Sequence, residues 1–200
     1  MSQTKTRRRG AIAVNPEIPS SPSPQVSPST SHPAPCAPFK YNTPMMRNST
    51  QRVKDDLEKL GITATVQELP DSTRTAQEAA TAAKCQVAQI VKSLVFQTKD
   101  NKKPVLILTS GANKVDEKLV GELLGEEIQF APADFVREET GFAIGGVSPY
   151  GLIKEIPIYI DRDLLDHSII WAAAGSHHAV FSIHPQTLVA TTGCQVISVC

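Results

Sequence analysis

Gln89-Ile90-Val91-Lys92-Ser93-Leu94-Val95-Phe96 and, a few residues on, Val105-Leu106-Ile107-Leu108-Thr109 read as two strands, over 90–97 and 105–109. Both are short apolar runs rich in aliphatic residues and bounded by polar or turn-forming segments. On their upstream side, Thr75-Ala76-Gln77-Glu78 matches the S/T-x-x-E capping box. There the Thr hydroxyl and the Glu carboxylate satisfy each other's orphan backbone donors, and the alanine-rich residues 79–83 continue as a helix. Further upstream, Ser49 or Thr50 caps a helix whose Val53, Leu57 and Leu60 share one face and which Gly61 ends. Ile62, Ala64 and Val66 then alternate at strand spacing.

Downstream, a helix is expected at 115–124, closed by Gly125, and a short one from Pro132 to Glu139, stopped by Gly141. A glycine-rich stretch at 141–151 follows, and then strands at 157–161, 168–174, 179–183 and 194–199. Helices and strands intersperse without an internal repeat. The expected fold class is therefore α/β (α+β): one domain over 45–200 with a mixed sheet. A domain of that length buries about two-thirds of its unfolded surface.

Residues 1–44 are different in kind. They hold nine of the fifteen prolines, interleaved with Ser20, Ser21, Ser23, Ser27, Ser29 and Ser31. Such a segment cannot bury enough apolar surface to offset its ordering entropy, so a disordered tail is expected. Its Arg7-Arg8-Arg9 start, serine content and near lack of acids leave a transit peptide as the alternative. The tail carries five of the 20 bases and one of the 20 acids, which leaves 15 bases against 19 acids, a net charge of −4, for the domain. Proteins that hold RNA mainly by neutralising phosphates are usually basic, so nucleic acid would have to be met through a local patch.

The four cysteines, Cys36, Cys85, Cys194 and Cys200, form no C-x-x-C pair. Neither a zinc site nor a disulfide framework is indicated, and a reducing, cytoplasmic setting is expected, with organelle targeting by the tail as the alternative. No apolar run approaches the roughly 20 residues of a membrane helix, so no membrane partner is expected.

Three places attract chemistry. Strand alternation puts Lys92 on the face of Ile90, Leu94 and Phe96, where an ammonium is costly unless it reaches a partner or an open pocket. A lysine snorkelling at a sheet edge is the structural alternative. The stretch Thr140-Gly141-Phe142-Ala143-Ile144-Gly145-Gly146-Val147-Ser148-Pro149-Tyr150-Gly151 has four glycines and lets backbone N–H groups approach a ligand. It serves either as an oxyanion or phosphate cradle or as a plain turn, and it is neither a P-loop nor a G-x-S-x-G elbow. Ala172-Ala173-Ala174-Gly175-Ser176-His177-His178 brings small side chains to a hairpin turn with two histidines, which are either proton carriers or merely exposed. With His167 and His184 they make no zinc-ligand spacing. Asp161, closing Ile158-Tyr159-Ile160-Asp161, reads as a turn anchor.

The order and spacing of Thr73-Arg74-Thr75-Ala76-Gln77-Glu78, Gln89 to Leu94, Gly111 with Val115-Asp116, Thr140-Gly141-Phe142 with Gly145 to Pro149, Tyr159-Ile160-Asp161 and Ala173-Ala174-Gly175 resemble the YbaK/prolyl-tRNA synthetase-associated domain family. The resemblance runs over roughly residues 50–199. It implies a single compact YbaK-like α/β domain with a curved mixed sheet and flanking helices, a free-standing editing domain that hydrolyses the ester of mischarged tRNA, with no metal and no organic cofactor. Its lysine matches Lys92 and its G-x-x-x-P loop matches Gly145 to Pro149. The implied catalytic set is Lys92, Gly145, Gly146, Ser148 and Pro149, with Thr75, Gly111, Gly175, Ser176 and His177 on the substrate side. The implied partners are the 3′ aminoacyl end of a mischarged tRNA, of the Cys- or Ala-tRNA(Pro) type, and prolyl-tRNA synthetase.

That chemistry suits the residues. An aminoacyl ester is already activated, so orientation and oxyanion donors matter more than a strong protein nucleophile. Loop amides would hold the carbonyl, and the Lys92 ammonium would meet the anionic 3′ end. The sequence departs from the pattern after Gly175, where Ser176-His177-His178 stands in place of the basic residues typical of the bacterial Cys-tRNA(Pro) deacylase branch. A non-catalytic module of the same fold that binds tRNA or a synthetase is the rival reading.

Overall fold

The computed structural model describes residues 49–69 and 75–200; the tail read over 1–44 and the Thr73-Arg74 pair lie outside them. In chain order the helices and strands are α1 (Ser49–Lys59), β1 (Val66–Glu68), α2 (Ala76–Ala83), β2 (Val91–Thr98), β3 (Pro104–Ser110), α3 (Glu117–Leu124), β4 (Ile128–Phe130), α4 (Ala133–Thr140), β5 (Ile158–Asp161), β6 (Ile170–Ser176), β7 (Ala179–Ile183), α5 (Pro185–Thr192) and β8 (Gln195–Ile197). Short 3-10 turns occupy Val87–Gln89 and Arg162–Asp166.

The signals read from sequence at the start of α2 and the ends of α3 and α4 operate as expected. Thr75 accepts from the Glu78 amide while Glu78 reaches back to the Thr75 amide, completing the capping box. Gly125 and Gly141 end α3 and α4 in the left-handed conformation. Two expectations at α1 change. Ser49 does not spend its hydroxyl on the cap but donates it to the Gly175 carbonyl, 2.7 Å away. Leu60 lies beyond the helix end and is 44% exposed, so the buried face is Val53 and Leu57 alone. Strand β4 and helix α5 have no counterpart in the sequence reading. The Thr and Val content of Pro185–Thr192 argues locally against a helix, yet Pro185 opens it, Gly193 closes it at φ +65°, and Leu188 is fully buried.

The strands divide between two sheets. The larger is the expected mixed sheet, in the order β4-β2-β3-β5-β8, with β3, β5 and β8 parallel and β2 antiparallel to both β3 and β4. The smaller, β1-β7-β6, is antiparallel. Among the described residues, a parallel bridge from Ile90 to Trp171 links them.

Alternation along the strands sorts the core. Leu106 and Leu108 of β3, with Val91 and Val95 of β2, join a large apolar cluster that includes Ala172, Phe181 and Ile183 of the small sheet and Val53 and Leu57 of α1. Val105 and Ile107, with Phe96, face the other way and are covered by Val120 of α3. Ala79 and Ala80 of α2 pack on Ile90 in a third, smaller cluster.

Candidate active site

Strand β4 pairs with β2 only from Phe96 to Thr98, whereas β3 pairs with β2 from Val91 to Gln97. The first half of β2 therefore has no large-sheet neighbour on one side. That side faces β6 of the small sheet, next to the Ile90–Trp171 bridge, and a cavity of about 260 Å³ lies there. Its walls are mostly small or apolar: Ala76 and Ala79 of α2, Ala172 and Ala173 of β6, and Val180 of β7. Thr75, Lys92, Gly145, Val147, Ser176 and His177 also line it.

Five of the ten residues singled out from the sequence thus meet at one cavity: Thr75, Lys92, Gly145, Ser176 and His177. The other five do not line it. Gly111 donates its amide to Ile90, and a Cβ there would stand 2.2 Å from the Val87 carbonyl, so it is a close-packing position. Gly146 is pressed on β6, where a Cβ would lie 2.8 Å from Ser176 Cα and 2.9 Å from the Gly175 oxygen. Ser148 is fully buried and its hydroxyl accepts the Tyr150 amide, and Pro149 beside it is buried too. Gly175, at φ +88°, sits in the bulge of β6 between Ala173 and Ser176. A bulge re-aims the residues after it, and here Ser176 and His177 turn into the cavity. The His177 and His178 ring centroids lie 4.5 Å apart with the rings tilted by 43°.

Not every amide of the loop is open to a ligand. The Gly146 amide is spent on the Ala143 carbonyl at 3.0 Å. Pro149 has no N–H to offer, and the Tyr150 amide goes to Ser148. Gly145 and Val147 line the cavity. Ile144, 61% exposed, stands at the rim.

Lys92 reaches a partner, as an ammonium on an apolar face must. Its Nζ donates to the backbone carbonyl of Asn113. Burial lowers its affinity for the proton below the ordinary lysine value, with nearby Asp161 opposing that shift and Lys114 adding to it. Asn113 is itself fastened: its side-chain amide donates to Asp161 at 2.8 Å and to Asp163 at 2.7 Å. Asp161, 1% exposed, also accepts from the Thr109 hydroxyl and the Ser110 amide at 3.1 Å each, and from the Asp163 amide at 3.2 Å. The turn anchor read from sequence is therefore a hub that fixes the carbonyl holding Lys92. Sequence reasoning missed Asn113, because its part is played by a backbone oxygen that any residue type could supply.

Several known proteins are similar in sequence to this chain. A family model for an aminoacyl-tRNA editing domain matches residues 70–191. A solved structure described as a candidate trans-editing enzyme for prolyl tRNA synthetase is 46% identical, with a TM-score of 0.71 over 76% of this chain and 96% of that one. The uncharacterised protein YwhH of Bacillus subtilis is 30% identical over 123 residues, 62% of this chain and 78% of that protein. The proline–tRNA ligase of Bacillus licheniformis is 37% identical over 91 residues, which is 45% of this chain but only 16% of the ligase. The matched span runs from just before the α2 cap into the last turn of α5 and encloses the whole cavity lining, so the chain belongs to the aminoacyl-tRNA editing domain family.

Proposed function

We propose that this protein is a trans-acting deacylase that hydrolyses the ester of a mischarged tRNA of the Ala- or Cys-tRNA(Pro) type. The observation that carries this reading is the meeting of Lys92 with Gly145 and Val147 at one small, mostly apolar cavity. The aminoacyl side chain enters among Ala172, Ala173 and Ala79, whose small side chains line the cavity. Loop amides receive the carbonyl oxygen as it gains charge, and the Lys92 ammonium meets the anionic 3′ end of the tRNA. Water adds to the carbonyl carbon, the bond to the ribose oxygen breaks, and the proton lost by the water goes to that oxygen. Free amino acid and uncharged tRNA leave. No protein nucleophile is needed, because the ester is activated and positioning supplies much of the acceleration.

Such an activity has a clear use. A synthetase pocket rejects a side chain smaller by one methylene by only about 1–3 kcal/mol, so a second, size-selective site is needed. The test is release of amino acid from Ala-, Cys- and Ser-charged tRNA(Pro) and tRNA(Ala) by the purified chain. Hydrolysis of small aminoacyl esters on tRNA(Pro), with Pro-tRNA(Pro) spared, is the expected outcome. Tight tRNA or synthetase binding without hydrolysis of any of them establishes the non-catalytic module instead.

A further inference from the structure

The family match begins at residue 70, so α1 lies outside it. Yet α1 touches both segments that shape the cavity. Arg52 donates from Nη2 to the Gly141 carbonyl at 2.8 Å and from Nε to the Gly151 carbonyl at 3.1 Å. One guanidinium thus ties together the two ends of the stretch that contains Gly145 to Pro149. It also lies over the buried Phe142 ring, 4.7 Å from the centroid. One turn later, Asp56 Oδ2 accepts the Gly151 amide at 2.8 Å.

At the start of the helix, the Ser49 hydroxyl holds the Gly175 carbonyl. The fit is close enough to exclude side chains. A Cβ on Gly151 would stand 2.9 Å from the Arg52 and Val53 backbone, and one on Gly175 would stand 2.5 Å from Ser49 C. Gly175 in turn lies against Gly146. Gly175 thus stands between Ser49 of α1 and Gly146 of the loop, beside the direct bonds from Arg52 and Asp56.

Packing alone does not call for these residues. Burial pushes the Arg52 guanidinium below its ordinary value, and an apolar side chain of similar volume is often no worse at such a place. What the fork supplies is geometry: two carbonyls far apart in sequence are fixed relative to one helix. A site that works by aiming amides at a developing charge needs that fixity.

We infer that α1 is part of the frame of the active site, and that Arg52 and Asp56 are positioning residues that hold the Gly145–Pro149 loop against β6 for ester hydrolysis. The hydrolytic half of this inference rests on the editing reading above; the mechanical half does not. The test uses the full chain as wild type, Arg52→Ala, Asp56→Ala and Asp56→Asn. It reads amide hydrogen exchange along the chain and single-turnover deacylation.

In Arg52→Ala and Asp56→Ala, exchange in 141–151, including the Gly146 amide, is expected to rise by about tenfold or more while β3 is unchanged. The maximal rate is expected to fall about a hundredfold, as for a misplacement on the order of 1 Å, with KM within about twofold. Asp56→Asn keeps an oxygen for the Gly151 amide and should restore both. Unchanged exchange in the folded alanine variants, an even rise that includes β3, or an Asp56→Asn no better than Asp56→Ala overturns the inference. If Arg52→Ala does not fold, the Asp56 pair decides, because it alters one hydrogen bond at a half-exposed helix face. If the wild-type chain deacylates nothing, the editing reading fails, and the exchange pattern alone still decides whether α1 holds the loop.

Discussion

Lys92 and Asn113 are joined by a hydrogen bond from the lysine ammonium to a backbone carbonyl on the loop that follows the neighbouring strand β3. The lysine thereby keeps its charge on an otherwise apolar face, at the edge of the cavity and next to the anchored Asp161 hub. It is a partnered, aimed cation and not a chain snorkelling freely to solvent.

Replacing Lys92 by alanine is expected to lower single-turnover deacylation about a hundredfold while shifting the urea midpoint little. The pH dependence has a definite sign. Burial depresses the folded-state value below the ordinary 10.5, so between the two values the unfolded chain binds more protons and stability rises with pH. Lys92→Met should remove that rise. Deacylation by the wild type, corrected for spontaneous ester hydrolysis, should fall on the alkaline side before pH reaches 10.5. Full activity in Lys92→Ala would sink the site.

Asp161→Ala strips the acceptor from the Thr109 hydroxyl, the Ser110 amide and the Asn113 side chain at once. Leaving a buried donor unsatisfied costs about 1–3 kcal/mol, so a clear drop in the denaturation midpoint is expected. Asn113→Ala keeps the carbonyl but frees the loop that carries it. A loss of rate larger than the loss of stability is expected there. Equal rates in Asn113→Ala and wild type would show that the hub serves stability alone.

The two loop glycines should fail differently. At Gly145, φ is +87° and an added Cβ meets only His177 Cβ at 3.9 Å, so alanine introduces backbone strain of about 1–3 kcal/mol without a clash. At Gly146 the added Cβ strikes backbone on β6 at 2.8–2.9 Å, and the loop must move away. Losing one preorganised donor costs about a hundredfold to a thousandfold in rate, so Gly146→Ala should show at least that loss. Thermal midpoints and deacylation rates of both variants check the order; a fully active Gly146→Ala contradicts it.

Tyr150 supplies a second alkaline signature of opposite sign. Burial pushes its phenol up to about 12, against an opposing hydrogen bond with the Thr191 hydroxyl at 2.7 Å. Below pH 10 both states are protonated and the full stability is present; as pH rises from 10 towards 12 the unfolded chain ionises first and stability is lost. Tyr150→Phe should lose about 1 kcal/mol at neutral pH with the Thr191 bond, yet decline less steeply above pH 10. Urea titrations at a series of alkaline pH values separate it from Lys92→Met.

From its sequence alone this chain determines most of its elements, because their signals are local. The Thr75–Glu78 capping box, the stop glycines at 125 and 141, and the alternation that sets Lys92 beside Leu94 and Phe96 each need only a few neighbouring residues. The conspicuous glycines of 141–151 were legible for the same reason. Only the tertiary structure decides that the strands split into two sheets, that Ser148 turns inward, that Asn113 holds Lys92, and that Arg52 grips Gly151, 99 residues away. Such contacts leave no periodic trace. They join backbone atoms common to every residue type across long loops, and the closure entropy of those loops is offset only when the whole core forms.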